Sequence, residues 1–213
     1  MLASTMRFAI ISSIPTPLPR LPRRPKPPGT ARLAKASAME LSLLRSWESF
    51  SSNELGGALI EIVPATNLPA LADARALIEA HVSAHSTAHD AASRAALLAA
   101  LPAPYELPTG GLWVARRDGA AAGCIALHGL GPTVGEVKRM YVDPAHRGHG
   151  VARALAAHVV KEARARRYDT LRLGTLRSMR PAQSLYESLG FREIAPYRSV
   201  EFGDTVFYEL ALE

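Results

Sequence analysis

Apolar residues recur with two different periods along this chain. Ala58 to Val63 (ALIEIV), Gly111 to Arg117 (GLWVARR) and Ala120 to Leu130 (AAAGCIALHGL) are short apolar runs closed by Pro, Gly or Asp, the pattern of buried strands. Leu71, Ala74, Leu77, Ile78 and Val82 fall instead at helical spacing behind Asn67, whose side chain can cap a helix, with Pro69 in the first turn. A second helix is predicted from about His89 to Leu101, carrying Ala92, Leu97 and Leu98 and broken by Pro102 and Pro104. Asp118-Gly119 is a two-residue hairpin signal between the second and third runs.

Gly131-Pro132-Thr133 then leads into a strand through Val137, Met140, Tyr141 and Val142, which Asp143-Pro144 stops. Beyond a glycine turn the pattern becomes helical from about Gly150 to Arg167, with Val151, Leu155 and Val159 as its buried stripe. Thr170 to Leu176 is a strand, and Arg180 to Leu189 is a helix with Ala182, Leu185, Tyr186 and Leu189 at helical intervals before Gly190. Phe191 to Ile194 and Thr205 to Leu212 are closing strands joined by the polar, aromatic loop Ala195 to Asp204. The predicted order is β-α-α-β-β-β-α-β-α-β-β, an α/β (α+β) arrangement.

Charge divides the chain. Met1 to Met39 holds Arg7, Arg20, Arg23, Arg24, Lys26, Arg32 and Lys35 with no acidic residue, so it contributes +7 to a net charge of +6. The remaining 174 residues are about neutral, which argues against a nucleic-acid-binding face. Ile14 to Gly29 (IPTPLPRLPRRPKPPG) is proline-rich and basic, so residues 1–56 are expected to be a disordered tail preceding one domain, residues 57–213. The tail reads as a mitochondrial-type transit peptide, an export signal with Phe8 to Ile14 as its apolar core, or an untranslated extension ahead of Met39. The single cysteine, Cys124, allows no intrachain disulfide and suits a reducing compartment. No apolar run reaches membrane-spanning length, so a cytoplasmic location is expected, or a mitochondrial one if the tail directs it there. His81, His85 and His89 lie four apart, but no carboxylate or cysteine accompanies them at zinc-site spacing, and no metal is expected.

The chemistry concentrates between Gly135 and Ala156 (GEVKRMYVDPAHRGHGVARALA), where a strand meets a helix through Arg147-Gly148-His149-Gly150. Glycines at a helix start let consecutive amides turn inward, and with the positive end of the helix dipole they suit phosphate oxygens. The dinucleotide fingerprint would need glycine where Arg153 stands, and the P-loop would need Lys-Ser/Thr where Val151-Ala152 stands. Arg147-x-x-Gly150-x-Ala152 behind the strand end resembles the acyl-CoA diphosphate motif of the GNAT superfamily of N-acyltransferases. Ala182 to Phe191 (AQSLYESLGF) resembles that family's second diagnostic stretch, and with the element order the likeness spans about 155 of 213 residues.

The resemblance implies a GNAT fold, a central mixed and mostly antiparallel sheet of about seven strands flanked by four helices. It implies acetyl-CoA as co-substrate, with Arg147, Gly148, His149, Gly150, Val151 and Ala152 at the diphosphate. Met140, Tyr141 and Val142 would lie along the pantetheine arm, and the Met140 or Tyr141 amide at the oxyanion. Tyr186 would give the proton to the departing sulfur. Transfer to an amine needs a group to take the amine's proton, and Glu136, or His128 on the neighbouring strand, is placed for it. Tyr197 and Arg198 would stand at the rim of the acceptor pocket, with Arg198 suited to a substrate carboxylate. The expected reaction is acetylation of a primary amine on a small amino-acid-like molecule by direct attack in a ternary complex, with a homodimer allowed. The alternatives are a peptide or protein N-acetyltransferase and a non-catalytic acyl-CoA-binding module. Two departures from the family pattern stand out. Met179 replaces an asparagine usual in relatives, and Arg167 stands where they end a helix with glycine, so either Arg167 turns left-handed or the cap differs.

Overall fold

A computed structural model describes residues 59–85, 91–199 and 203–213. The readings of the proline-rich tail, of the His85 and His89 side chains and of part of the Ala195 to Asp204 loop fall outside these residues. The strands are β1 (Ile60–Pro64), β2 (Gly111–Arg117), β3 (Ala120–Gly129), β4 (Val134–Val142), β5 (Thr170–Leu176), β6 (Arg192–Ile194) and β7 (Thr205–Ala211). The helices are α1 (Leu68–His85), α2 (Ala91–Ala100), α3 (Val151–Ala165) and α4 (Arg180–Ser188). All seven strands form one sheet in the order β1-β2-β3-β4-β5-β7-β6, antiparallel except where β4 runs beside β5.

Alternation along the strands sends side chains to two cores. Trp113, Ile125, Leu127, Val137, Leu171 and Leu173 meet Val151, Leu155 and Val159 of α3 and Tyr186 of α4. Leu112, Val114, Cys124 and Ala126 meet Ala70, Ala74, Leu77, Ile78 and Val82 of α1 on the other face. The buried stripe of α3 is wider than Val151, Leu155 and Val159, adding Ala156, Val160 and Ala163. Alanine at two of those positions lets the helix approach the sheet closely. Truncating Leu155, which is fully buried, to alanine would remove about 2–5 kcal/mol of stability.

Local chemistry fixes the element ends. The Asn67 Oδ1 accepts from the Ala70 amide at 2.9 Å, starting α1. Asp118 and Gly119 both have positive φ, 53° and 82°, the conformation a tight two-residue hairpin needs. At the end of α3 the Tyr168 amide donates to the Ala163 carbonyl at 3.1 Å and the Arg167 amide to Arg164 at 2.8 Å, with Arg167 at φ 62°. This is the two-bond left-handed cap, made without glycine. Tyr168 follows it into the core and donates its hydroxyl to the Thr109 carbonyl at 2.6 Å.

Replacing the exposed Arg167 by glycine removes the clash between Cβ and the backbone at this φ. We expect Arg167→Gly to stabilise the protein by about 0.5–1 kcal/mol, a rise of a few degrees in Tm by calorimetry, and an unchanged or lower Tm would contradict the strain assigned to the cap.

Candidate active site

Strands β4 and β5 pair only at Val134↔Thr170, Gly135↔Leu171 and Glu136↔Arg172. Beyond Glu136 they part, so Val137 to Val142 of β4 has no strand neighbour on that side among the described residues. The free edge leads directly into the glycine turn. Asp143 Oδ1 accepts from the Ala145 amide at 2.9 Å and caps a short 3-10 turn, Pro144–His146. Arg147 then donates its Nε to the Val142 carbonyl at 3.1 Å, tying its guanidinium to the end of β4.

Gly148 and Gly150 have φ of 78° and 82°, and Gly150 is the N-cap of α3 with no side-chain hydrogen bond. The backbone amides of Gly148 to Arg153 donate to no described residue. A Cβ at Gly148 would meet nothing within 4 Å, and one at Gly150 only Ile60 Cδ1 at 4.0 Å. The glycines are therefore required by backbone twist and not by crowding. Successive unpaired amides at the start of a helix, open on their outer side, fit a diphosphate.

Tyr186 projects from α4 into the core shared with Val151 and Leu155, against which Met140 and Val142 also pack. Its ring meets Phe191 edge-on, 5.6 Å between centroids. Burial pushes the phenol well above its ordinary acidity range, so it is a neutral donor at any physiological pH. Its hydroxyl donates to no described residue. The helices around it are tied together where Arg153 Nη2 donates to Ser188 Oγ at 3.2 Å. The asparagine usual in relatives is here Met179, which is the N-cap of α4 without a side-chain cap and accepts weakly from Thr175 Oγ1 at 3.9 Å. Buried Gln183 organises this turn instead, donating Nε2 to the carbonyls of Leu176 at 3.0 Å and Arg177 at 2.9 Å. Gln183 carried no signal in the sequence beyond its place inside the AQSLY stretch.

On the opposite face of the sheet lies a polar cluster. Glu136 is only 2% exposed although ionisable. Its Oε1 accepts from the Tyr197 hydroxyl at 2.7 Å and from Arg198 Nε at 3.3 Å, and its Oε2 lies 3.3 Å from Lys138 Nζ. Arg198 therefore spends its Nε on Glu136. Burial, followed by the Glu136 carboxylate, pushes the Tyr197 hydroxyl far above the ordinary phenol range. Tyr197 packs on Phe207 and under the Arg172 guanidinium, which is paired with Glu209 at 2.7 Å. His128 stands opposite Glu136 across the β3–β4 ladder, with its Nδ1 3.3 Å from the Pro104 carbonyl. A carbonyl can only accept, so Nδ1 carries a proton and the other ring nitrogen, Nε2, is not used by this contact. Lys138 was not singled out from the sequence, because a lysine on a strand usually faces water.

Glu136, His128, Tyr197 and the Arg198 guanidinium are thus gathered on the face covered by α1 and α2, while Tyr186 and the glycine turn belong to the face covered by α3 and α4. Met140 and Val142 point to the second face and Tyr141 to the first, where His81 of α1 stacks on it at 5.6 Å. Among the described residues no group of His, Cys, Asp or Glu could hold a metal ion, and no helix is long and apolar enough to cross a membrane.

A sheet split at Glu136, with a glycine turn beyond the freed strand, suits a long phosphate-bearing ligand. The acetyltransferase (GNAT) family model matches residues 75–191, and the chain belongs to that family. It is 39% identical over 87 residues to the uncharacterized N-acetyltransferase YsnE of Bacillus subtilis, covering 40% of this chain and 58% of YsnE. It is 35% identical over 116 residues to the N-acetylaspartate synthetase of Homo sapiens, covering 50% of this chain but only 38% of the synthetase. The yncA acetyltransferase of Salmonella typhimurium, solved with its cofactor acetyl-CoA, superposes with a TM-score of 0.58 at 26% identity, over 72% of this chain and 94% of that one.

Valine at Gly150 would place a β-branched side chain at φ 82°, a conformation it strongly resists. Gly150→Val should abolish retention on immobilised CoA while circular dichroism stays native, and undiminished retention would refute the amide cradle.

Proposed function

We propose that this enzyme moves an acetyl group from acetyl-CoA to the primary amine of a small amino-acid-like molecule by direct attack in a ternary complex. The observation that carries this reading is the buried carboxylate of Glu136 at the point where β4 and β5 part. The likeness to N-acetylaspartate synthetases supports an amino-acid acceptor. Acetyl-CoA supplies an activated thioester carbonyl.

The chain's own residues supply the rest. Amides from Gly148 to Ala152, with Arg147 alongside, hold the diphosphate, and the free edge of β4 from Met140 to Val142 offers strand-like partners to the pantetheine arm. The Met140 or Tyr141 amide stabilises the oxyanion. An amine with a pKa of about 8–10 is mostly protonated at neutral pH, so a base must act before it attacks. A carboxylate has about four lone-pair sites, and Glu136 uses three of them on Tyr197, Arg198 and Lys138. One remains for a water or for the ammonium itself. In a neutral His128 ring that donates from Nδ1, Nε2 offers a second lone pair on this face. Tyr186 hydrogen-bonds the departing sulfur. Its phenol is made less acidic by burial, yet the same desolvation makes a thiolate beside it more basic, so transfer of the proton stays feasible. Orientation of the two reactants supplies much of the remaining rate.

Thiol release measured with a panel of amines separates the readings. Small amino acids acetylated with peptides inert is the expected result; peptides acetylated in preference would make this a peptide or protein N-acetyltransferase, and firm CoA binding with no amine turned over would leave a non-catalytic module. Tyr186→Phe should lower kcat tenfold or more, about 1.4 kcal/mol or above, with acetyl-CoA affinity unchanged, and full turnover would remove Tyr186 from the proton path.

A further inference from the structure

Among the described residues three that are not glycine have positive φ: Asp118, Arg139 and Arg167. The first makes the hairpin and the third the cap of α3. Arg139, at φ 53°, lies inside β4. The ladder to β3 passes from Cys124↔Tyr141 to Ala126↔Lys138, so Arg139 and Met140 together oppose Ile125 and form a bulge. A bulge with a left-handed first residue ordinarily uses glycine, and an arginine held there is strained. Strain of this kind is a pointer to function.

We propose that the Arg139 guanidinium is the subsite for a carboxylate of the acceptor, which makes the substrate an anionic amino acid; this rests on the reading of the enzyme as a small-amine acetyltransferase. The bulge puts Lys138 and Arg139 on the same face of the sheet, that of Glu136. Arg139 Nε donates to the hydroxyl of buried Tyr105 at 3.0 Å, and the Tyr105 ring meets His128 edge-on at 6.2 Å. A continuous line of contacts thus runs from Arg139 through Tyr105 and His128 to the position opposite Glu136. Lys138, Arg198 and Arg172 each lie against a carboxylate. Arg139 is half-buried and forms no ion pair with any described residue. With Nε held by the Tyr105 hydroxyl, both terminal nitrogens stay available in the end-on geometry that grips a carboxylate. Glu136 and Arg139 are three residues apart, about 10 Å of extended strand, a span that an arginine side chain and an amino-acid acceptor bridge together. An amine near Glu136 and a carboxylate near Arg139 would fix the acceptor at both ends.

The test compares L-aspartate with its two monoamides, L-asparagine and the α-amide, in the wild type and in Arg139→Gly. Glycine keeps the bulge conformation without strain, so the fold is retained, which an unchanged or higher Tm verifies. The wild type should acetylate L-aspartate with kcat/KM at least tenfold above one of the amides. In Arg139→Gly that gap should close through a rise in KM for aspartate, with the KM for acetyl-CoA unmoved. Arg139→Lys should restore part of the gap. Amides as good as the acid in the wild type, a gap that survives in Arg139→Gly, or acetylation confined to amines without a carboxylate would each overturn the subsite. Absence of thiol release with any amine would instead sink the acetyltransferase reading beneath it, so the two failures are told apart.

Discussion

The organisation of the site depends on where a parallel strand pair stops. β4 and β5 share a ladder only as far as Glu136 and Arg172, and from there each follows a different neighbour. Parting strands expose backbone donors and acceptors that must find other partners. Here the exposed edge is β4 from Val137 to Val142, and it ends in the glycine turn whose amides are also unpaired. The sheet thereby presents two stretches of unpaired main-chain polarity, the edge of β4 and the amides from Gly148 onward, joined by the internally bonded turn Pro144–His146 and suited to a long, thin, phosphate-headed ligand.

At the apex of the split a carboxylate is buried, and burial of a charge is tolerated only with compensation. Lys138 and Arg198 supply the opposite charge and Tyr197 a third donor. Two of these come from the loop after β6, which folds back over β5 and β7 through the Tyr197–Phe207 ring contact. Glu136 therefore has a structural part whatever its part in chemistry: without it, Lys138 and Arg198 would lose the carboxylate they share. The apolar core on the α3 side and the charged cluster on the α1 side are two solutions to covering one sheet.

Much of this was legible in the sequence. The element order, the Asp118-Gly119 hairpin and the Asn67 cap follow from local rules of period and backbone sterics, which do not depend on distant partners, whereas the cap at Arg167 stayed open between two forms until its φ of 62° decided it. The glycine turn was legible for the same reason. Glu136 and Tyr186 could be singled out by position, but not their surroundings. Pairing of Glu136 with Tyr197 and Arg198 spans a loop whose path no local rule sets, and the Arg139–Tyr105 bond joins a bulge to a connection between α2 and β2. A bulge is invisible to a reading of period, because one added residue shifts alternation without changing composition. Gln183 was missed because a buried amide looks, from sequence, like any polar residue on an amphipathic helix.

The bulge in β4 has a further consequence. Of its two residues, Arg139 turns to the layer beneath α1 and Met140 to the layer beneath α3. Elsewhere the sheet acts as a partition, so that a side chain packed on one side has its neighbours on that side. At this one kink the partition is breached: if the Arg139 guanidinium holds the acceptor and the adjoining amides face the thioester, a single turn of backbone governs both. A change in the kink would then alter recognition and reactivity at once, and the choice of partner and the rate of transfer would evolve together.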